Sequence, residues 1–199
     1  MNYYIIYKPY GMLSQFSAEG DKPTLATLGN FPKDVYPVGR LDADSEGLLI
    51  LTNDKELNHR LLDPKFKHQR TYLSQVEGLV TSKALDDLSK GVVITVEGKP
   101  YHTLPATARM PAVEPIVPER IPPIRYRKNI PTSWIELTLH EGKNRQVRKM
   151  TAAAGFPTLR LIRIAIEDIR IGNIKPGDVV ELNKEEIYKL LFGNNKRDE

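Results

Sequence analysis

Short apolar runs alternate along the chain with segments rich in charge, proline and glycine. β-Branched and aromatic residues concentrate at 2–8 (NYYIIYK), 48–52 (LLILT), 70–77 (RTYLSQVE), 92–96 (VVITV), 134–140 (WIELTLH), 159–164 (LRLIRI) and 178–182 (DVVEL). Most of these runs are bounded by Gly, Pro, Asn or Asp, and each predicts a strand. In WIELTLH the alternation sets Ile135, Leu137 and Leu139 on one face and Trp134, Glu136, Thr138 and His140 on the other. That is the pattern of a strand buried on one side.

Helical patterns are fewer and short. Asn53 or Asp54 can cap a helix carrying Leu57 and Leu61 that stops near Asp63-Pro64. Thr81 or Ser82 opens a second, running through Leu85 and Leu88 to Gly91. A third is expected from about Asn144 to Ala154, stopped by Gly155 and Pro157. Asn183 with Glu186 has the spacing of a capping box for a last helix through Leu190. Strands separated by a few short helices predict an α+β domain with a mostly antiparallel sheet. A single domain over 1–192 is expected, with a disordered tail at 193–199. Residues 111–131 hold six prolines, which exclude a regular helix or an interior strand. They are expected to form a long surface connection, or a loop whose Arg120, Arg125, Arg127 and Lys128 touch phosphates.

Composition narrows the chemistry. The 199 residues include no cysteine, so disulfides, thiolate catalysis and cysteine-bound zinc are excluded. The four histidines are scattered without metal-ligand spacing, and no metal site is expected. No stretch approaches the roughly 18 consecutive apolar residues of a membrane span. The N-terminus is too short and aromatic for a signal peptide, so a cytoplasmic location and no membrane partner are expected. A formal charge of +4 is compatible with nucleic acid without demanding it.

Three segments carry candidate chemistry. GRLDADSEG (39–47) is a charged loop leading into a very apolar run, an arrangement that presents a side chain from a rigid support; it is equally the composition of a solvated turn. In EGKNRQVRKM (141–150), Arg145, Arg148 and Lys149 fall in one helical stripe opposite Val147, Met150 and Ala154. No acidic residue neutralises that face, which favours phosphate or carboxylate binding. Arg70-Thr71-Tyr72 opens a strand, where a tyrosine is ordinarily sheet packing. A nucleophilic carboxylate needs a cation to keep it ionised, and a flat base needs an aromatic platform. Arg148 could serve Asp42 in the first way and Tyr72 a substrate in the second.

GRLDADSEGLLILTND, RTYLSQVEG and LTLHEGKNRQVRKM, in that order, resemble the signature segments of the bacterial pseudouridine synthases that modify ribosomal RNA. The branch is the one containing the small-subunit enzyme A and the large-subunit enzymes B, E and F. YKPYGMLSQF, PVGRLD and IKPGDVVELNKEE fit it too, so the resemblance spans roughly residues 3–190. It implies a mixed, mostly antiparallel sheet with a basic RNA-binding cleft and a small N-terminal α+β subdomain. It implies Asp42 as nucleophile, Arg40 as the group that helps extrude the target nucleotide, and Tyr72 as the platform for the flipped uracil. Arg148 would pair with Asp42, and Lys143, Asn144, Arg145 and Lys149 would touch the RNA backbone. The reaction exchanges an N1–C1′ bond for a C5–C1′ bond without redox change, so no cofactor is expected. Several members carry a preceding S4-type RNA-binding domain. A catalytic region starting almost at residue 1 and containing DSEGLLILTND resembles the E group, which lacks it.

A uridine in large-subunit ribosomal RNA is the expected target, with a small-subunit or transfer RNA site as the alternative, and a monomer is expected. Two other classes compete. Asp42 and Asp44 could be a glycoside-hydrolysing pair or Mg²⁺ ligands, though no third ligand supports the metal. A non-catalytic ribosome-assembly protein would be marked by loss of the aspartate, arginine or tyrosine, and all three are present.

Overall fold

The computed structural model describes residues 1–124 and 129–193. Arg125, Arg127 and Lys128, expected to touch phosphates, and the tail at 194–199 lie outside the described residues. The strands are β1 (Tyr3–Lys8), β2 (Tyr36–Pro37), β3 (Glu46–Thr52), β4 (Arg70–Glu77), β5 (Val93–Val96), β6 (Lys99–His102), β7 (Thr107–Arg109), β8 (Thr132–Leu139), β9 (Thr158–Ile166), β10 (Ile169–Arg170) and β11 (Val179–Leu182). The helices are α1 (Lys55–Leu62), α2 (Ser82–Lys90), α3 (Gln146–Ala153) and α4 (Lys184–Phe192), with 3-10 turns at Leu25–Leu28 and Pro64–Phe66. This is the α+β class the residues predict, with four short helices among the described residues.

The chain divides into two compact units, Met1–His68 with Arg163–Glu199, and Gln69–Ile162. In the first, β1 lies between β11 and β3, antiparallel to both, and β2 and β10 pair antiparallel with β3 and β9. Every residue of β3 is buried. Its alternate side chains feed two cores: Leu48 and Ile50 join Tyr3, Ile5, Leu57, Ile187 and Leu191, whereas Leu49 and Leu51 join Ile6, Met12, Leu25 and Val35. A strand covered on both faces has no polar positions to alternate, which is why it reads as an unbroken apolar run.

Asp54 starts α1 by accepting from the backbone N–H groups of Glu56 and Leu57. The same carboxylate accepts from the hydroxyls of Tyr3 and Tyr188, each at 2.8 Å. The expected capping box of Asn183 and Glu186 forms at α4.

In the second unit β4 pairs with β8 along its whole length, and β7 pairs with the other edge of β8, all antiparallel. β5 and β6 form a separate hairpin. Ile135, Leu137 and Leu139 are buried with Val76, Leu88, Val147 and Met150 in one core, while Trp134, Glu136 and Thr138 are half-buried. The alternation in WIELTLH is therefore one-sided burial. Residues 110–124 contain no helix or strand, as their prolines require. Arg120 there donates to the carbonyls of Pro122 and Pro123.

Candidate active site

Asp42 stands on the loop 41–45 of the first unit, immediately before β3. The backbone on both sides of it is held by the segment that follows β1. The Ser14 hydroxyl, itself buried, donates to Leu41 O at 2.7 Å and accepts from Leu41 N at 3.0 Å. Gly11 N donates to Ala43 O at 2.7 Å, and Ser45 N closes the turn onto Asp42 O at 3.0 Å.

Lys8 completes the clasp. It is fully buried at the end of β1, and its ammonium donates to Met12 O (2.7 Å), Pro9 O (2.9 Å) and Ala43 O (3.4 Å). Burial pushes its pKa down to about 8, against the pull of Glu46, Asp44 and Asp42, with the Arg163 charge adding to the fall. Asp42, Ala43 and Asp44 remain half-exposed, whereas Leu41, Ser45 and Glu46 are buried. The loop is thus anchored at its ends and half-exposed at Asp42. Glu46 departs from the reading of the charged run as a surface turn: it is 2% exposed and begins β3.

Gly47 sits where the loop enters the sheet, at φ 104°. A Cβ there would overlap the backbone of Arg163, so only glycine allows β3 and this part of β9 to approach so closely. Arg163 is itself 4% exposed and donates from Nε to Leu48 O at 2.8 Å. Arg40, the expected extruding residue, is exposed on the same loop's approach.

The remaining candidates belong to the second unit. Tyr72 is half-buried on β4 and packs against the apolar core there, opposite Leu137 of β8. Arg148 and Lys149 are half-buried on α3, which is seated by Val147, Met150 and Thr151. Arg148 Nη1 reaches Thr158 O at 3.4 Å. Thr158 Oγ1 meets the hydroxyls of Thr151 (2.7 Å) and Ser74 (2.9 Å), tying α3 to β9 and β4.

The structure corrects one detail of the cationic stripe. The helix starts at Gln146, not Asn144, and Arg145 precedes it in a left-handed conformation with φ 53°. Lys143, Asn144 and Arg145 therefore form an exposed turn, not a helical face. Lys8, Ser14 and Gln146 were not singled out from sequence; only a lysine closing the apolar run YYIIYK hinted at the first. Among the described residues no group of three histidines or carboxylates could hold a metal ion, and no helix is long and apolar enough to cross a membrane.

Comparison with known proteins extends this picture. The family model for RNA pseudouridylate synthase matches residues 2–153. The chain is 51% identical over 174 residues to ribosomal large subunit pseudouridine synthase E of Xanthomonas axonopodis pv. citri, covering 86% of this chain and 89% of that protein. It is 49% identical over 179 residues to the protein of the same name from Vibrio parahaemolyticus, covering 89% and 72%. A crystal structure of a pseudouridylate synthase superposes with a TM-score of 0.74 at 28% identity, covering 95% of this chain and 73% of that one. With a clasped aspartate loop, an arginine-bearing helix and these relatives, the chain belongs to the RNA pseudouridylate synthase family.

Proposed function

We propose that the protein isomerises a uridine of large-subunit ribosomal RNA to pseudouridine, with Asp42 as its nucleophile. The observation that carries this reading is the clasp on Asp42. The Leu41 carbonyl before the residue and the Ala43 carbonyl after it are held by the buried side chains of Ser14 and Lys8, and Asp42 O accepts from Ser45 N, while Asp42 itself is half-exposed. A reactive group held this way loses little conformational freedom on reaching the transition state.

The uracil must leave its stack before a protein carboxylate can reach it. The N1–C1′ bond then breaks, the base turns, C5 bonds to C1′, and the C5 proton is released while N1 ends protonated. Atoms and electrons balance within the nucleotide and water. In this reading Arg40 assists extrusion, Tyr72 supplies the stacking surface, and Arg148 is the cationic partner of Asp42. Lys143, Asn144, Arg145 and Lys149 meet the RNA backbone. The signature segments that contain these residues and the names of the large-subunit relatives support the assignment.

Replacing Asp42 with Asn preserves shape and hydrogen bonding but removes the nucleophilic charge. The variant is expected to bind and melt like the parent while losing at least ~10³-fold in turnover, as removal of a nucleophile does elsewhere. Tritium release from [5-³H]uridine-labelled large-subunit RNA measures this directly, and turnover within tenfold of the parent would sink the proposal. Mapping pseudouridines in ribosomal RNA from cells with and without the gene identifies the target.

A further inference from the structure

The exposed turn Gly142–Arg145 has no core residue of its own to hold it, yet it keeps a conformation that side-chain-bearing residues avoid, with Arg145 left-handed. What holds it is a hydrogen-bonded network centred on Glu141. Glu141 Oε1 accepts from Gln146 Nε2 (2.6 Å) and from Leu104 N (2.8 Å), and Oε2 accepts from the Tyr101 hydroxyl (2.6 Å). Gln146, 4% exposed, uses its amide oxygen to accept from Lys143 N at 2.9 Å. The turn is thereby closed from Lys143 to the first residue of α3. On the other side, the Lys143 ammonium lies 4.8 Å from the Tyr101 ring, which belongs to β6. The hydrogen bond that the Tyr101 hydroxyl donates to Glu141, with burial second, raises the Tyr101 pKa, so the hydroxyl stays protonated and donating at any physiological pH.

We propose that Glu141 is a positioning residue for RNA binding, fixing the Lys143–Arg145 turn to the β5–β6 hairpin so that its cations present one rigid spacing to the phosphates. This rests on the synthase reading for its ligand. An acidic side chain beside RNA-facing cations is otherwise counterproductive, because its charge repels phosphate. Its presence there is explained if its three accepted bonds matter more than its charge. Arg148 is seated separately, by Val147 and Met150 in the core and by Thr158, so release of the turn acts on binding before it acts on chemistry.

The electrostatic and positioning roles predict opposite signs, which makes the idea testable. Glu141→Gln removes the charge but keeps an acceptor for Gln146 and Leu104 and a partner for Tyr101. Glu141→Ala removes charge and bonds together. Affinity for large-subunit ribosomal RNA transcribed in vitro is measured across about 50–200 mM salt, with KM and kcat from tritium release, for both variants and for Tyr101→Phe. Positioning predicts that Glu141→Ala raises KM about tenfold, more than it lowers kcat, and flattens the salt slope by about one, the equivalent of one or two lost phosphate contacts. Glu141→Gln restores the parental slope, and Tyr101→Phe falls between. If both Glu141 variants bind as tightly as the parent or tighter with an unchanged slope, the positioning role is overturned, even where melting temperature falls. If the parent itself shows no turnover, the synthase reading fails, while the salt slopes still decide this inference.

Discussion

Asp42 and the turn Lys143–Arg145 stand on two loops that are held in opposite ways. Loop 41–45 is clasped by buried main-chain and side-chain groups and runs into β3, which is covered on both faces. Turn 142–145 is exposed, follows a strand buried on one face only, and is held by polar side chains. A group that makes or breaks bonds must be placed to a fraction of an ångström, so buried, low-entropy contacts suit it. A group that meets a charged polymer needs reach and solvent, so a polar brace at the surface suits it.

The largest break in this comparison comes from one added methyl group at each loop. Gly47→Ala forces a Cβ into the backbone of Arg163 at a positive φ, and is expected to cost more than about 4 kcal/mol, enough to unfold much of the first unit. Gly142→Ala meets nothing within 4 Å and should lie within about 0.5 kcal/mol of the parent. Urea unfolding of the pair measures the contrast, and similar losses at both positions would erase it.

A smaller effect is expected just past β3. Asp54→Ala removes an acceptor serving two tyrosine hydroxyls and two backbone N–H groups, at about 3 kcal/mol. Burial raises the Asp54 pKa, but the bonds from Tyr3, Leu57, Tyr188 and Glu56 outweigh it and hold the carboxyl below its ordinary 3.8. Its stabilisation is therefore complete above about pH 4 and is lost as pH falls through the lower folded value. Thermal melts should show parent and variant converging only in that acid range.

Lys8→Met sharpens the comparison at the clasp itself. It should melt near the parent yet turn over about tenfold more slowly, roughly 1.4 kcal/mol in the barrier. With the folded pKa at about 8 against 10.5, the penalty of burying the charge is fully present below pH 8. Between these values only the unfolded chain holds the proton, so this residue makes stability rise with pH. A neutral amine has two hydrogens for three carbonyls, so parental turnover should decline above about pH 8. A pH profile unchanged in Lys8→Met would remove the residue from the clasp.

The smallest effect lies on the open face of β8. Arg109 pairs with Glu136 there with its side chain 65% exposed, and Arg109→Gln should shift stability by less than about 0.5 kcal/mol. A larger loss in chemical denaturation would show that this face is less solvated than its sequence pattern implies.

Long elements were legible in the sequence because each carried its own period. β3 announced itself as an apolar run and β8 by alternation, and α1, α2 and α4 by their caps. β2 and β10 have two residues and β7 three, too few to express a period; β6 contains Pro100. These strands exist because a partner's edge is available. The candidate chemistry was legible where it is written contiguously, in GRLD and NRQVR. The clasp was not, because Ser14 and Leu41 are distant in sequence and nothing local marks a serine as one end of such a bond. The left-handed Arg145 was hidden for the same reason: the network that enforces it reaches back to Tyr101 and Leu104.

The first unit is built from two separated stretches of chain, with residues 69–162 between them. During synthesis β1 leaves the ribosome long before β11, yet in the folded protein it lies between β11 and β3. Until residues 179–182 emerge, one edge of β1 offers unpaired N–H and C=O groups beside an apolar face. The second unit, contiguous in sequence, is free of that wait. Translation therefore imposes an order of assembly, in which the edge of β1 that pairs with β11 is covered only after residues 179–182 have been made.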